Sequence, residues 1–470
     1  MSENNDRTSS IPRSQCPGIS YTDMLDLDTG TVPDVLREES QQDLGVSPIP
    51  TERYTSQEFA QLENEKLWPK VWQFAAREEE MPSVGDSVVY ENAGRSYVLI
   101  RQPDMSVRAF HNVCLHRGRK LRTQPGNVSS LKCPFHGFTW NNDGTLKEIP
   151  CAWDFEHLKP DEMQLPELKV DRWQGYIMVS ENHAIAPFAE WIGPVAKHFE
   201  RWRLDECSTV MWIGRVMPAN WKAVAEAFME AFHSVTTHPQ ILPFLGDANS
   251  RYDLYGDYVN RAITPASVLS PHIADDHDQD YILQKAGQYS GRLGVGDGGE
   301  ADDVFKGISD DDPVKARKVS ARLKRAAFQE GDGYDYSDVC DSEMIDMFTY
   351  NVFPNFSPWG GFVPNLVYRW TTGANPNECM MEIRVLKRAP KGEPLPKSVP
   401  MHLIADDQPF ASAADMMGKD LAAVFDQDLS NLKYVQEGMN ASKTGALQLG
   451  HYQESRIRHF QNTLMKYINA

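Results

Sequence analysis

Two short stretches decide how this chain is read: "CLHRG", Cys114 to Gly118, and "CPFHGFTWNNDGTL", Cys133 to Leu146. Each holds one cysteine followed closely by one histidine, and each histidine is followed within two residues by a glycine. Cys114, His116, Cys133 and His136 together spell C-x-H-x16-C-x-x-H. Thiolates are soft anionic ligands and neutral imidazoles are borderline ones. Two loops that each offer one sulfur and one nitrogen grip a single object from opposite sides. A tetrahedral zinc ion can use these four donors. So can a [2Fe-2S] cluster with both cysteines on one iron and both histidines on the other. Replacing two thiolates by neutral imidazoles raises the cluster potential, to roughly −150 to +300 mV.

Around these loops, β-rich runs dominate from about residue 70 to 185: "DSVVYEN", "SYVLIRQ", "VRAFHNV" and "GYIMVSEN". Asn142-Asp143-Gly144 predicts a hairpin turn. Residues 1–69 read as a polar arm followed by a helix, "SQEFAQLENEKLWPKVW". From 186 to 470 helix and strand signals mix, and "MFTYNVFPNFSP", "NLVYRWTT" and "MMEIRVLKR" predict strands of a second sheet. The acidic stretch of about 272–340, with one basic helix in "DPVKARKVSARLKRAAF", reads as a surface insertion. The overall class is α+β.

The net charge of −19 argues against nucleic acid and anionic membrane as partners. No apolar run reaches the length of a membrane span, and the first residues lack the pattern of a secretory signal. Seven scattered cysteines do not form a disulfide framework. The expected location is the cytoplasm.

A cluster only moves electrons, so their destination is the next question. In "NWKAVAEAFMEAFHSVTTHP", Asn220 to Pro239, Trp221, Val224, Phe228 and Val235 predict an apolar helical stripe. Glu226, Glu230 and His233 follow at i, i+4 and i+7 beside it. On an ideal helix His238 falls about 140° away from His233. Pro239 disfavours the α conformation at His238, so the helix is expected to end there and return His238 toward His233. Two histidines and one carboxylate make the facial triad of a non-haem Fe(II) site. In "KDLAAVFDQDLSNLKYVQEGM", Leu421, Val424, Phe425, Leu429, Leu432, Val435 and Met439 predict a buried face. Asp428 lies on that face and Asp426 toward solvent. A carboxylate on an apolar face is costly unless it is paired or bound to metal. Asp428 is therefore the expected third ligand.

Taken together, these motifs resemble the large (α) subunit of Rieske non-haem iron oxygenases, also called ring-hydroxylating oxygenases. The resemblance runs from about residue 50 to 440, and it implies a small all-β Rieske domain at 70–185. It further implies a helix-grip catalytic domain with an antiparallel sheet at 186–470, on which the 1–69 arm and helix pack. The implied cofactors are a [2Fe-2S] Rieske cluster on Cys114, His116, Cys133 and His136, and a mononuclear Fe(II) on His233, His238 and Asp428. The family's acid-x-x-His-x4-His segment reads Glu230-Ala-Phe-His233 through His238. Its third ligand precedes a glutamine by eight or nine residues, and Asp428 precedes Gln436 by eight. The resemblance gives Glu230 the role of connecting the iron to a Rieske histidine of the neighbouring chain, which implies a trimer. Aromatic-ring dioxygenases usually carry Asp there, and Asn where this chain has Ala227. Glu is more like the branch with quaternary-amine monooxygenases.

The expected activity is that of a terminal oxygenase hydroxylating an aromatic or cyclic substrate, as in aromatic hydrocarbon catabolism. Monooxygenation or demethylation of an N- or O-methyl or quaternary-amine compound is the alternative, and a pure Rieske electron carrier is the alternative from another class. A reductase, with or without a ferredoxin, is the implied electron source, and a small β subunit is an open partner. The basic run Arg117, Arg119, Lys120 and Arg122 suits an acidic electron carrier, or is simply a solvated loop. Gly294 to Gly299 satisfies G-x-G-x-x-G but lacks the flanking strand and helix of a nucleotide site. Phe228, Phe232, Val235 and the 353–359 region are the expected cavity lining.

Overall fold

The computed structural model describes residues 14–275, 277–290, 305–362 and 365–470. The Gly294–Gly299 motif lies outside them. The "DSVVYEN", "SYVLIRQ", "VRAFHNV" and "GYIMVSEN" runs form strands Asp86–Asn92, Arg95–Arg101, Val107–His111 and Tyr176–Ser180. They belong to a seven-stranded sheet, completed by Gln73–Arg77, Glu167–Trp173 and Gly126–Asn127. A three-stranded sheet beside it, Leu131–Lys132, Thr139–Trp140 and Leu146–Glu148, turns at Asn142-Asp143-Gly144. Gly144 takes a positive φ of 82° there, and any side chain on it would meet the Phe110 ring.

The second sheet has eight strands. Its order is Arg251–Tyr255, Val259–Thr264, Met347–Val352, Phe356–Gly360, Asn365–Thr372, Cys379–Arg388, Cys207–Met217, His402–Ile404. All neighbours pair antiparallel except the last two, which are parallel. Arg369 ties this sheet to the first. It donates to the carbonyls of Phe74 (3.1 Å) and Ala75 (2.6 Å) and forks onto Glu382.

The main helices are α1 (Tyr21–Leu27), α2 (Gln57–Leu62), α3 (Trp221–Ala227), α4 (Ser234–Thr237), α5 (Lys315–Asp332), α6 (Lys419–Asn440) and α7 (Ser455–Ile468). The basic helix expected inside 272–340 is α5, but it does not lie loosely on the surface. Arg317 is buried and pairs with Asp346 at 2.7 Å, and Tyr21 of α1 donates to the same carboxylate.

Candidate redox and metal centres

The two cysteine–histidine loops share one backbone frame. The Cys114 N–H donates to the Arg119 carbonyl, and the Gly118 N–H returns to the Cys114 carbonyl. Cys133, Phe138 and Gly137 repeat both bonds at the same offsets. Gly118 and Gly137 take φ values of 73° and 82°, a region that costs any residue with a Cβ. Both cysteines are buried, and burial, with Cys133 beside it, pushes the Cys114 thiol pKa up. The His116 and His136 rings lie 4.7 Å apart. His116 stacks on Phe138 and is half-buried, whereas His136 is exposed.

These residues fit a cluster. His116 Nδ1 is buried and has no hydrogen-bond partner among the described residues, which suits a nitrogen that binds a cluster iron. Among the described residues, only His233, His238 and Asp428 bring donors together tightly enough for a single ion.

The second centre is built from three elements. Asn220 caps α3 by accepting the Lys222 N–H (3.0 Å), and Gln436 of α6 accepts the Asn220 N–H (2.9 Å). α3 stops at Ala227, so the single helix expected through His233 is broken in two. The sequence "FMEAFH" contains no helix breaker; tertiary contacts intervene. Arg456 takes the Met229 carbonyl, Tyr252 Oη accepts the Ala231 N–H, and Glu230 accepts the His233 N–H. The backbone groups that would continue the helix are already used. Glu226, Glu230 and His233 therefore do not stack on one face. Glu226 points instead to Tyr54 and Gln461. α4 ends at His238 (φ −124°, ψ 51°), ahead of Pro239.

His233, His238 and Asp428 offer donor atoms that all lie within 4.8 Å of one another. His233 Nε2 is 3.7 Å, and His238 Nε2 3.0 Å, from Asp428 Oδ1. Each imidazole is fixed from behind. His233 Nδ1 meets Glu230 Oε1 at 2.7 Å, and His238 Nδ1 meets Gln427 Oε1 at 2.8 Å. Those bonds leave both Nε2 lone pairs for a metal, the arrangement that orients histidine ligands. Burial opposes charge on His233, but Glu230, Asp428 and Asp247 outweigh it and raise its pKa. The donor set, two imidazole nitrogens and one carboxylate, is of the kind that would hold a non-haem iron.

The buried face of α6 carries Ala422, Phe425, Asp428, Leu432, Gln436 and Met439, while Val435 is exposed rather than buried. Asp426 does not point into solvent. It accepts the backbone N–H groups of Phe410 (2.6 Å) and Ala411 (2.9 Å).

The residues expected to line the cavity fall in different surroundings. Phe232 is exposed, and Phe353 packs on Phe460 and Tyr467. Phe228 instead joins Tyr368, Trp370 and Phe425, with ring centroids 4.9, 6.1 and 5.9 Å away. Burial, then the Asp428 charge, raises the Tyr368 pKa. Of the basic run, Arg117 lies over the Phe135 ring and Lys120 pairs with Glu91.

Residues 71–159 match the Rieske [2Fe-2S] domain, and residues 195–470 match the ring-hydroxylating alpha subunit catalytic domain. The carnitine monooxygenase oxygenase subunit of Escherichia coli (strain K12) is 28% identical over 194 residues, 41% of this chain and 52% of that protein. The large oxygenase component of salicylate 5-hydroxylase from Ralstonia sp is 28% identical over 229 residues, 45% and 54% of the two chains. The chain thus spans about half the length of the curated relatives it matches. A quaternary ammonium Rieske monooxygenase structure is similar with TM-score 0.61 and 16% identity, over 90% of this chain and 96% of that one. Naphthalene 1,2-dioxygenase with indole bound gives TM-score 0.61 and 18% identity, over 91% and 93%. Among the described residues no helix is long and apolar enough to cross a membrane. With a Rieske domain followed by this catalytic domain over more than half its length, the chain belongs to the ring-hydroxylating alpha subunit family of Rieske oxygenases.

Proposed function

We propose that the chain is a terminal oxygenase component that hydroxylates a small organic substrate with dioxygen. Its electrons come from a partner reductase, directly or through a ferredoxin. The observation that carries this reading is the convergence of His233, His238 and Asp428 in the same polypeptide as the paired cysteine–histidine loops. Cys114, His116, Cys133 and His136 hold the [2Fe-2S] cluster; His233, His238 and Asp428 hold one iron. When bound, these groups supply one-electron transfer and dioxygen activation.

The protein's own contribution is positioning. Glu230 and Gln427 set the two imidazole rings, and Glu230 carries the contact toward the neighbouring chain. Phe228, Tyr368, Trp370 and Phe425 give the substrate an aromatic wall. Such a wall suits a flat ring or, through cation–π attraction, a quaternary amine. Glu at position 230, together with relatives that act on carnitine and glycine betaine, favours the amine.

The proposed assembly is a ring of three in the cytoplasm. Phe135 and Trp153, 56% and 75% exposed, flank the cluster loops; Phe232, Tyr434 and Val435 are exposed near the iron end. Two unlike patches that pair head to tail close a ring when the rotation permits. Metal analysis tests the function. Three iron atoms per chain support the oxygenase; two leave only an electron carrier. Labelled dioxygen then gives two oxygen atoms in one product for dioxygenation, and one for monooxygenation or demethylation.

A further inference from the structure

One buried charge is left unused by this chemistry. Arg456 of α7 is fully buried. Its Nη1 donates to the Met229 carbonyl (2.9 Å) and to Thr349 Oγ1 (3.0 Å), and its Nε to Asn260 Oδ1 (2.6 Å). All three acceptors are neutral. Nη2 is buried and, among the described residues, has no hydrogen-bond partner. Burial pulls the pKa of Arg456 down to about 9, and Tyr252, Asp253 and Glu230 offset only part of that. A guanidinium kept out of water without a carboxylate is a standing cost unless a ligand supplies one.

Two further donors stand on the same sheet face. Asn351 lies directly across the strand pair from Asn260 and is 1% exposed, and both atoms of its amide are unpartnered among the described residues. Thr349 lies across from Trp359, whose Nε1 is also buried and unpartnered. Cross-strand partners, and residues two apart on one strand, share a face. Tyr252, which accepts the Ala231 N–H, stands on this face too, so the face lies against the segment that carries Glu230 to His233.

We infer that Arg456 Nη2, Asn351 Nδ2 and Trp359 Nε1 form a subsite for a carboxylate of the substrate, with the rest of the molecule directed toward His233, His238 and Asp428. The inference rests on the oxygenase reading and adds a chemical class to it. A carboxylate offers two oxygens with about four lone-pair sites, which matches several unpartnered donors on one sheet face better than a single water does.

The test uses the holoenzyme under anaerobic conditions. Benzoate and butyrate are titrated beside their uncharged amides, benzamide and butyramide, by calorimetry and thermal shift. The acids are expected to bind at least about tenfold more tightly than the amides, in line with a charge-assisted bond. Asn351→Ala removes no existing hydrogen bond. It is expected to weaken the acids about tenfold while leaving the amides and the iron content unchanged. Arg456→Lys keeps the charge but loses the fork, and weakens the acids further. Should Arg456→Lys not fold, the Asn351→Ala comparison carries the test. Equal binding of acids and amides overturns the inference, as does unaltered acid affinity in Asn351→Ala. So does a benzoate-soaked crystal with only water on Arg456 Nη2. If neither acid binds while the chain holds three irons and consumes dioxygen with another substrate, the carboxylate subsite falls and the oxygenase reading stands.

Discussion

At the scale of single residues, α6 sets three consecutive polar side chains to three different tasks. Asp426 holds the backbone at Phe410 and Ala411, Gln427 fixes His238, and Asp428 faces both histidines. Asp428→Ala is therefore expected to lose the mononuclear iron and keep the Rieske absorption spectrum; metal analysis beside the visible spectrum reads both. Asp426→Ala is expected to keep all the iron and to lose stability of ~1 kcal/mol, as removing a carboxylate cap does, seen as a lower urea midpoint. Gln427→Leu leaves every proposed ligand in place but frees the His238 ring. Iron affinity is expected to fall about 10- to 100-fold, measured by competition with a chelator. That Asp428 lies on the buried face of α6 was legible in the sequence, because helical spacing alone puts it there. The part of Gln427 was not. Its partner lies 189 residues away, and no local pattern joins α6 to the end of α4.

Among the elements, the ligand helix departs furthest from its sequence pattern. The pattern of "NWKAVAEAFMEAFHSVTTHP" is helical throughout, yet Arg456 and Tyr252 from other segments, with Glu230 from the stretch itself, capture its backbone between Met229 and His233. This also turns Glu226 away from His233 into buried surroundings. There it accepts from Tyr54 Oη (2.9 Å) and Gln461 Nε2 (2.6 Å), and burial lifts its pKa to about 7. A raised carboxyl pKa means that the folded chain holds the proton over a range where the unfolded chain has released it. Stability is then lost as pH rises from about 4.5 to 7, by at most ~3 kcal/mol, and changes no further above that. Glu226→Gln keeps a side chain of the same shape without the charge. It is expected to remove this slope relative to wild type in urea unfolding at pH 5, 6, 7 and 8. The strands Arg251–Tyr255 and Val259–Thr264 escaped the sequence reading for a related reason. Their interior positions include Arg251, Asp253, Asn260 and Arg261, and the buried pair Arg261–Asp253 at 2.7 Å makes that possible. Hydropathy is silent where charges pay for one another's burial.

For the whole molecule, the α+β class and the two-centre organisation could be read from loop spacing, while the meeting of the two sheets could not. Part of that contact runs through Arg369 and backbone carbonyls, and part through Phe74 and Tyr176 against Phe356, pairings that no local pattern announces. The proposed ring makes its own prediction. Trp153→Glu places a charge in an exposed aromatic patch beside the cluster, where an aromatic anchor is typically worth at least ~2 kcal/mol. Size-exclusion chromatography is expected to show smaller species, with the Rieske spectrum retained and electron transfer between centres slowed. The broken ligand helix has one more consequence. α3 has seven residues and α4 has four, too few for either to persist alone in water. A metal ion that joins His233 and His238 to Asp428 staples this region to α6. Stripped of iron, it becomes the chain's point of entry for proteases: chymotrypsin should nick the apoprotein after the exposed Phe232 and spare the loaded enzyme.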